Sequence, residues 1–153
     1  MASYCILGGT GFVGSRLIAH LVNRGHRITV PTRDPERARH LRVQPSVGIV
    51  RADVHAPGTL AGLLGGSDAV INLIGILNES GRDGRGFRRA HVELMQTLIT
   101  ACGSAGVSRV IQISALNAGA PQARSHYLRS KGEAEALLRA APLDWTILQP
   151  SVI

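Results

Sequence analysis

The run Gly8-Gly9-Thr10-Gly11-Phe12-Val13-Gly14, directly behind the apolar segment Ser3–Leu7 near the start of the chain, limits the fold more than any other feature. Glycines at this spacing permit a tight turn, let backbone approach a ligand closely, and allow a helix to pack hard on a strand. The residues that follow are helical in period. Val13, Leu17 and Leu21 recur every four positions, and Gly25 supplies a left-handed exit. A strand, a glycine turn and a helix in that order open a βαβ unit.

The rest of the chain repeats the alternation. Residues 28–30 and 47–50 read as strands two and three, with a charged helical turn or loop over 34–41 between them. Pro57-Gly58-Thr59 opens a short helix that carries Leu60, Leu63 and Leu64 and closes at Gly65-Gly66. Residues 69–74 form a fully buried fourth strand, and a polar loop over 78–86 leads to a longer helix over 87–102. Strands over 109–113 and 145–148 flank a helix over 127–140, and Pro150 halts the last of them. Strands alternating with helices predict right-handed crossovers and a parallel sheet covered on both faces. The expected class is therefore α/β, a Rossmann-type doubly wound sheet. At 153 residues the chain suits one domain, spanning 1–153, and shows no internal repeat or linker.

Composition narrows the function. Eighteen glycines and 3% aromatic residues suit tight turns and aliphatic packing of helix on sheet. The longest apolar stretch, 69–77, is far shorter than the roughly 20 residues a bilayer demands. Met1 lies too close to the first strand to leave room for a cleavable leader, so the expected location is cytoplasmic. Cys5 and Cys102 lack ligand spacing and read as small buried hydrophobes, and no metal site is expected. The net charge of +7 attracts acidic partners. Nucleic acid is not expected, because no recognisable binding module stands beside the arginine clusters; an anionic membrane surface or an acidic protein remains open.

In its βαβ context the glycine run fits the dinucleotide fingerprint, with a pyrophosphate at the positive end of the first helix. Gly8, Thr10, Gly11, Phe12, Val13 and Gly14 are the candidate contacts. At the end of strand two, Thr32-Arg33-Asp34 offers both an arginine for a 2′-phosphate and an acid for ribose hydroxyls. Arg33, coming first, favours NADP(H), and Asp34 keeps NAD(H) open. Asp53 and Val54, ending strand three, are placed to touch adenine. Tyr127 and Lys131 are four apart, one turn along one helix face. A lysine ammonium beside the phenol is expected to lower its pKa and make it a proton donor or acceptor, with Ser114 at the end of strand five holding a substrate oxygen.

These residues, with Asn72-Leu73-Ile74-Gly75, Ser114-Ala115 and Tyr127-Leu128-Arg129-Ser130-Lys131, resemble the extended or atypical short-chain dehydrogenase/reductase superfamily. The segments 110–118 and 144–153 are most similar to the epimerase/dehydratase-like branch related to the nucleotide-binding accessory subunit of respiratory complex I. The resemblance implies Leu73, Ile74 and Gly75 as further cofactor contacts, and Ser114, Tyr127 and Lys131 at the catalytic positions. It implies hydride transfer between NAD(P)(H) and the carbonyl or alcohol of an unknown small molecule. It equally implies a non-catalytic subunit that holds the nucleotide for stability, assembly or redox sensing, with a respiratory-complex or membrane-peripheral partner at the inner membrane. The tetrad asparagine has no assignment, because Asn72-Leu73-Ile74-Gly75 replaces the usual Asn-Asn-Ala-Gly. His91 and His126 read as a packed or half-exposed side chain and a solvent-facing neighbour. Relatives continue beyond a Pro-Ser-x-Ile run into a substrate region, so the domain is expected to be truncated after its sixth strand.

Overall fold

In the computed structural model, residues 1–151 are described. The first strand, β1 (Ser3–Leu7), alternates its side chains between two cores: Cys5 and Leu7 join one buried cluster, Ile6 the other. This is why its sequence is apolar without a break. β1 pairs in parallel with β2 (Arg27–Thr32) on one side and β4 (Ala69–Asn72) on the other, and β3 (Val47–Arg51), β5 (Arg109–Ile113) and β6 (Asp144–Leu148) extend the sheet. The order is β3-β2-β1-β4-β5-β6, all parallel. The doubly wound reading holds.

Helix α1 (Phe12–Val22) and a 3-10 turn, Pro35–Leu41, cover one face, through Ile18, Ala38 and Leu41 against Ile6, Ile28, Val30 and Ile71. The other face takes α2 (Thr59–Leu64), α4 (Leu94–Ala105) and α5 (His126–Ala140), with Leu60, Leu64, Met95, Leu98 and Leu138 fully buried against Leu7, Val70 and Val110. Each such side chain contributes roughly 1.5–3 kcal/mol by leaving water. Cys5 and Cys102 lie in this second core as unpaired thiols, and burial pushes them up to about 12 and about 11 respectively. They are the small hydrophobes the sequence indicated.

Several boundaries move. β2 runs on through Pro31 to Thr32. β4 stops at Asn72 rather than at residue 74, because the Asn72 side chain donates to Gln112 Oε1 at 2.8 Å and accepts from the Ile74 N–H at 3.1 Å, turning the chain out of the sheet. The helix expected over 87–102 instead runs from α3 (Arg85–Phe87) through a π-helical turn, Arg88–Glu93, into α4, ending at Ala105. Its start is set by the Glu79 carboxylate, which accepts from the N–H groups of Gly84, Gly86 and Phe87 at 2.8, 2.8 and 3.3 Å. These are donors that a helix end otherwise leaves unpaired.

The join of β1 to α1 rests on backbone contact. Gly8 has φ of +78°, and a Cβ on Gly14 would lie 2.5 Å from the Gly9 Cα. Replacing Gly14 by alanine must therefore push α1 off the sheet, and we expect Gly14→Ala to lower unfolding free energy by about 2 kcal/mol or more in urea titrations. A loss within 0.5 kcal/mol would contradict this packing.

Candidate functional site

Between β1 and β4 the chain reverses the direction in which it builds the sheet, and an α/β sheet opens a crevice at that point, outside the strand ends. Here the crevice is a cavity of about 750 Å³. Gly8, Gly11 and Gly14 form its floor, Leu73 and Gly75 one wall, and Ser114, Tyr127 and Lys131 the other. Phe12, Leu77 and Leu116 make an exposed apolar rim.

The catalytic candidates converge because the segment after β5 folds back onto α5. Ser125 caps that helix, accepting from the Leu128 N–H at 3.1 Å. The Gly119 N–H donates to the Leu128 carbonyl at 3.1 Å, and any side chain on Gly132 would collide with the Gly119 backbone. Lys131 is 5% exposed and its Nζ donates to the Ile113 carbonyl at 3.2 Å. Burial pulls its pKa down to about 8, against an opposing pull from Glu135 one turn on. Glu135 is itself buried, held by Gln149 at 2.8 Å and Arg139 at 3.2 Å.

The phenol corrects one expectation. Burial raises the pKa of Tyr127 rather than Lys131 lowering it, since the ammonium is aimed at the Ile113 carbonyl and stands 6.0 Å from the tyrosine ring centroid. Helical spacing brings the ammonium over the tyrosine ring, but its hydrogen bond goes to the Ile113 carbonyl. Tyr127 is instead clamped edge-on between Phe87, at 6.0 Å, and His91, at 5.6 Å. Ser114 is 4% exposed and its Oγ has no hydrogen-bond partner. A buried hydroxyl without a partner is costly, and a bound oxygen would relieve it.

A second group of candidates lies away from the cavity wall. Thr10, Arg33, Asp53, Val54 and Ile74 do not line it. Arg33 is exposed just beyond the end of β2, while Asp34 caps the following 3-10 turn, its Oδ1 accepting from the Glu36 N–H at 3.0 Å. Asp53 accepts from the His55 N–H at 3.0 Å, and Val54 is buried. His55 marks what surrounds this end: burial lowers its pKa, Arg89 and Arg33 push the same way, and Asp53 and Glu93 oppose them. Arg33 and Arg89 thus bring positive charge to the edge beside Asp53.

Sequence reasoning missed His91 and Arg89 as site residues. His91 is packed, as expected, but directly behind the cavity lining: it is 4% exposed and forms one side of the clamp on Tyr127. Its position four residues after Phe87 and four before Met95, both buried, was the available signal. His126 is exposed, as read.

The glycine turn floors the cavity, and the orphaned Ser114 hydroxyl waits in the wall; these residues fit a nicotinamide dinucleotide. Residues 8–153 match the profile of the NAD(P)H-binding family. The chain belongs to that family. It is similar to the NADH dehydrogenase [ubiquinone] 1 alpha subcomplex subunit 9 of Arabidopsis thaliana, 32% identical over 97% of this chain and 37% of the relative. It is also similar to the ceramide reductase of Caulobacter vibrioides, 32% identical over 97% of this chain and 45% of the relative. In fold it resembles the UDP-Glc/GlcNAc 4-epimerase of Campylobacter jejuni, with a TM-score of 0.85 at 21% identity, over 97% of this chain and 53% of that one. The matched family and this fold accord with the resemblance to extended short-chain dehydrogenases/reductases. It spans about two fifths of the length of the curated relatives it matches. Val152 and Ile153, the end of the resembling segment, lie outside the described residues.

A buried lysine with its pKa lowered to about 8 is a cost to the folded state. Lys131→Met should raise unfolding free energy at pH 7 by about 1–3 kcal/mol. Between pH 8 and 10.5 the folded lysine releases its proton before the unfolded one, so the wild type gains relative to the variant and the gap narrows across that window. Denaturant titrations of both proteins at pH 7 and pH 10 measure it; a gap that widened would refute the burial argument.

Proposed function

We propose that this chain is the NADP(H)-binding domain of an oxidoreductase acting on a carbonyl or alcohol. The observation that carries the reading is the convergence of Ser114, Tyr127 and Lys131 on a cavity floored by Gly8, Gly11 and Gly14. The N-terminus of α1 would take the pyrophosphate on Thr10, Gly11, Phe12, Val13 and Gly14. Asp53 and Val54 would border adenine, and Leu73, Ile74 and Gly75 would lie along the nicotinamide half. Lys131 would anchor the ribose. The cofactor, when bound, supplies the hydride.

Within that frame Tyr127 gives or takes the substrate-oxygen proton, and Ser114 orients the oxygen. The raised phenol pKa suits a donor that is protonated at neutral pH. Preference for NADP(H) rests on charge: Asp34 is engaged as a cap, whereas Arg33 is exposed and Arg89 adds a second cation. Calorimetric titration should show NADPH binding more tightly than NADH. Arg33→Ser should weaken NADPH roughly tenfold or more and leave NADH within about twofold, as expected for loss of a charge-assisted pair. Tighter binding of NADH by the wild type would overturn the Arg33 assignment.

One observation favours a second reading, a nucleotide-holding subunit: the Lys131 ammonium is turned to the Ile113 carbonyl rather than to the phenol. The similarity to complex I subunits supports a partner in a respiratory assembly, and the net charge of +7 supports a location peripheral to an anionic inner-membrane face. Among the described residues no helix is long and apolar enough to cross a membrane. Tyr127→Phe separates the readings. NADPH oxidation with a panel of aldehydes, ketones and quinones should fall about 100-fold or more while NADPH affinity holds; unchanged turnover would favour the holding role.

A further inference from the structure

His91 sits on the π-helical turn where three successive residues, Ala90, His91 and Val92, are buried. π turns of this kind gather at functional sites. Its two ring nitrogens both have partners. Nδ1 lies 2.8 Å from the Ser130 Oγ, and Nε2 lies 3.3 Å from the Ile76 backbone nitrogen. The Ser130 hydroxyl donates its one proton to the Tyr127 carbonyl at 2.9 Å, so toward His91 it can only accept. Nδ1 therefore carries the hydrogen. Nε2 is left with its lone pair, which the Ile76 N–H fills.

We propose that His91 is a positioning residue of this site, a neutral imidazole locked as the Nδ1–H tautomer that ties the segment after β4, helix α5 and the Tyr127 ring into one geometry. The proposal rests on the nucleotide-site reading above.

The bond chain runs one way only: Ile76 N–H to Nε2, Nδ1–H to Ser130, Ser130 O–H to the Tyr127 carbonyl. A second proton on the ring would face the Ile76 N–H and abolish that acceptor. It would also stand near a like charge, because a Cβ on Gly75 would lie 3.1 Å from Lys131 Nζ and 3.6 Å from His91 Nε2. Beside the ring stand Lys131, Tyr127 and Ser130 from α5 and Phe87 from α3 at 6.0 Å, and the segment after β4 presents the Ile76 N–H. The Arg88–Glu133 pair, at 2.9 Å, is exposed and joins the same turn to α5. Burial, then the charge of Lys131, hold the imidazole down to about 4, so it stays neutral across the physiological range. What this fixes is specific. Gly75 and Ile76 form the wall along which the nicotinamide half would lie, and Tyr127 and Lys131 bracket Ser130 on the opposite wall. The imidazole sets the distance between them.

Two measurements on the full chain test the proposal. Long-range proton–nitrogen correlation spectra of histidine-labelled protein should show His91 protonated at Nδ1 and bare at Nε2, with no titration between pH 8 and 5. An Nε2–H ring, or one titrating near the ordinary value of about 6.5, would overturn it. His91→Phe keeps an aromatic ring for the Tyr127 clamp but loses both hydrogen bonds, and its NADPH affinity should fall roughly tenfold. His91→Asn, which keeps a donor and an acceptor, should recover most of that loss. A purely structural histidine predicts instead a lower melting midpoint with unchanged NADPH affinity in both variants, and that result refutes the role. If the phenylalanine variant does not fold, the wild-type spectra and the asparagine variant still decide. Wild type that binds neither dinucleotide would sink the nucleotide-site reading and this role together, whereas equal binding by wild type and His91→Phe sinks the role alone.

Discussion

The contact of Gly14 with the backbone of Gly9 is the constraint on which the rest of the molecule depends. With no Cβ between them, the first turn of α1 lies flat against the loop leaving β1, and Ile18 reaches Ile6 and Val30 in the sheet. The same closeness puts Phe12, Val13 and Gly14, whose N–H groups a helix start leaves without intrahelical partners, at the crevice lining. A packing requirement and an anion site are one feature here, seen from two sides. Because β1 is the strand at which the order reverses, the site it opens is also where β4 and β5 end.

Around that opening the protein holds groups in states that cost folding energy. Lys131 is buried with a single carbonyl partner, Ser114 has none for its hydroxyl, and the Tyr127 phenol is drawn up by burial. None of these helps the domain fold, whereas each is explained by a ligand that supplies oxygen acceptors or negative charge. Glu135 and its partners Gln149 and Arg139 offset part of the cost by keeping a negative charge one turn from the ammonium. Strain of this kind is concentrated on α5 and the end of β5, and the aliphatic core behind them carries the stability.

Much of the fold was legible in the residues. The apolar runs of β1 and β4 are buried on both faces, as only an interior parallel strand requires, and Leu60, Leu64, Leu94, Leu98 and Leu138 fall at helical spacing. The boundaries that shifted did so through side chains whose partners are distant in sequence. Asn72 ends β4 by reaching Gln112, 40 residues away, and Glu79 starts a helix by gathering backbone donors up to eight residues ahead. Local propensity contains neither pairing. At the site, spacing placed Tyr127 and Lys131 on one face, but the direction of the ammonium was set by where the Ile113 carbonyl stands once β5 is docked.

The sequence by itself determined the class of fold, the glycine turn, and which polar residues would end near the strand tips, because period, apolar content and backbone freedom are local properties of the chain. Only the tertiary structure decided which of them meet. It brought His91 to Ser130 across 39 residues, separated Arg33 from the cavity wall, closed off the Ser114 hydroxyl, and turned the expected effect of Lys131 on Tyr127 into one of burial. Those outcomes follow from packing distance and desolvation, and both exist only after helices from opposite ends of the chain have covered the same sheet.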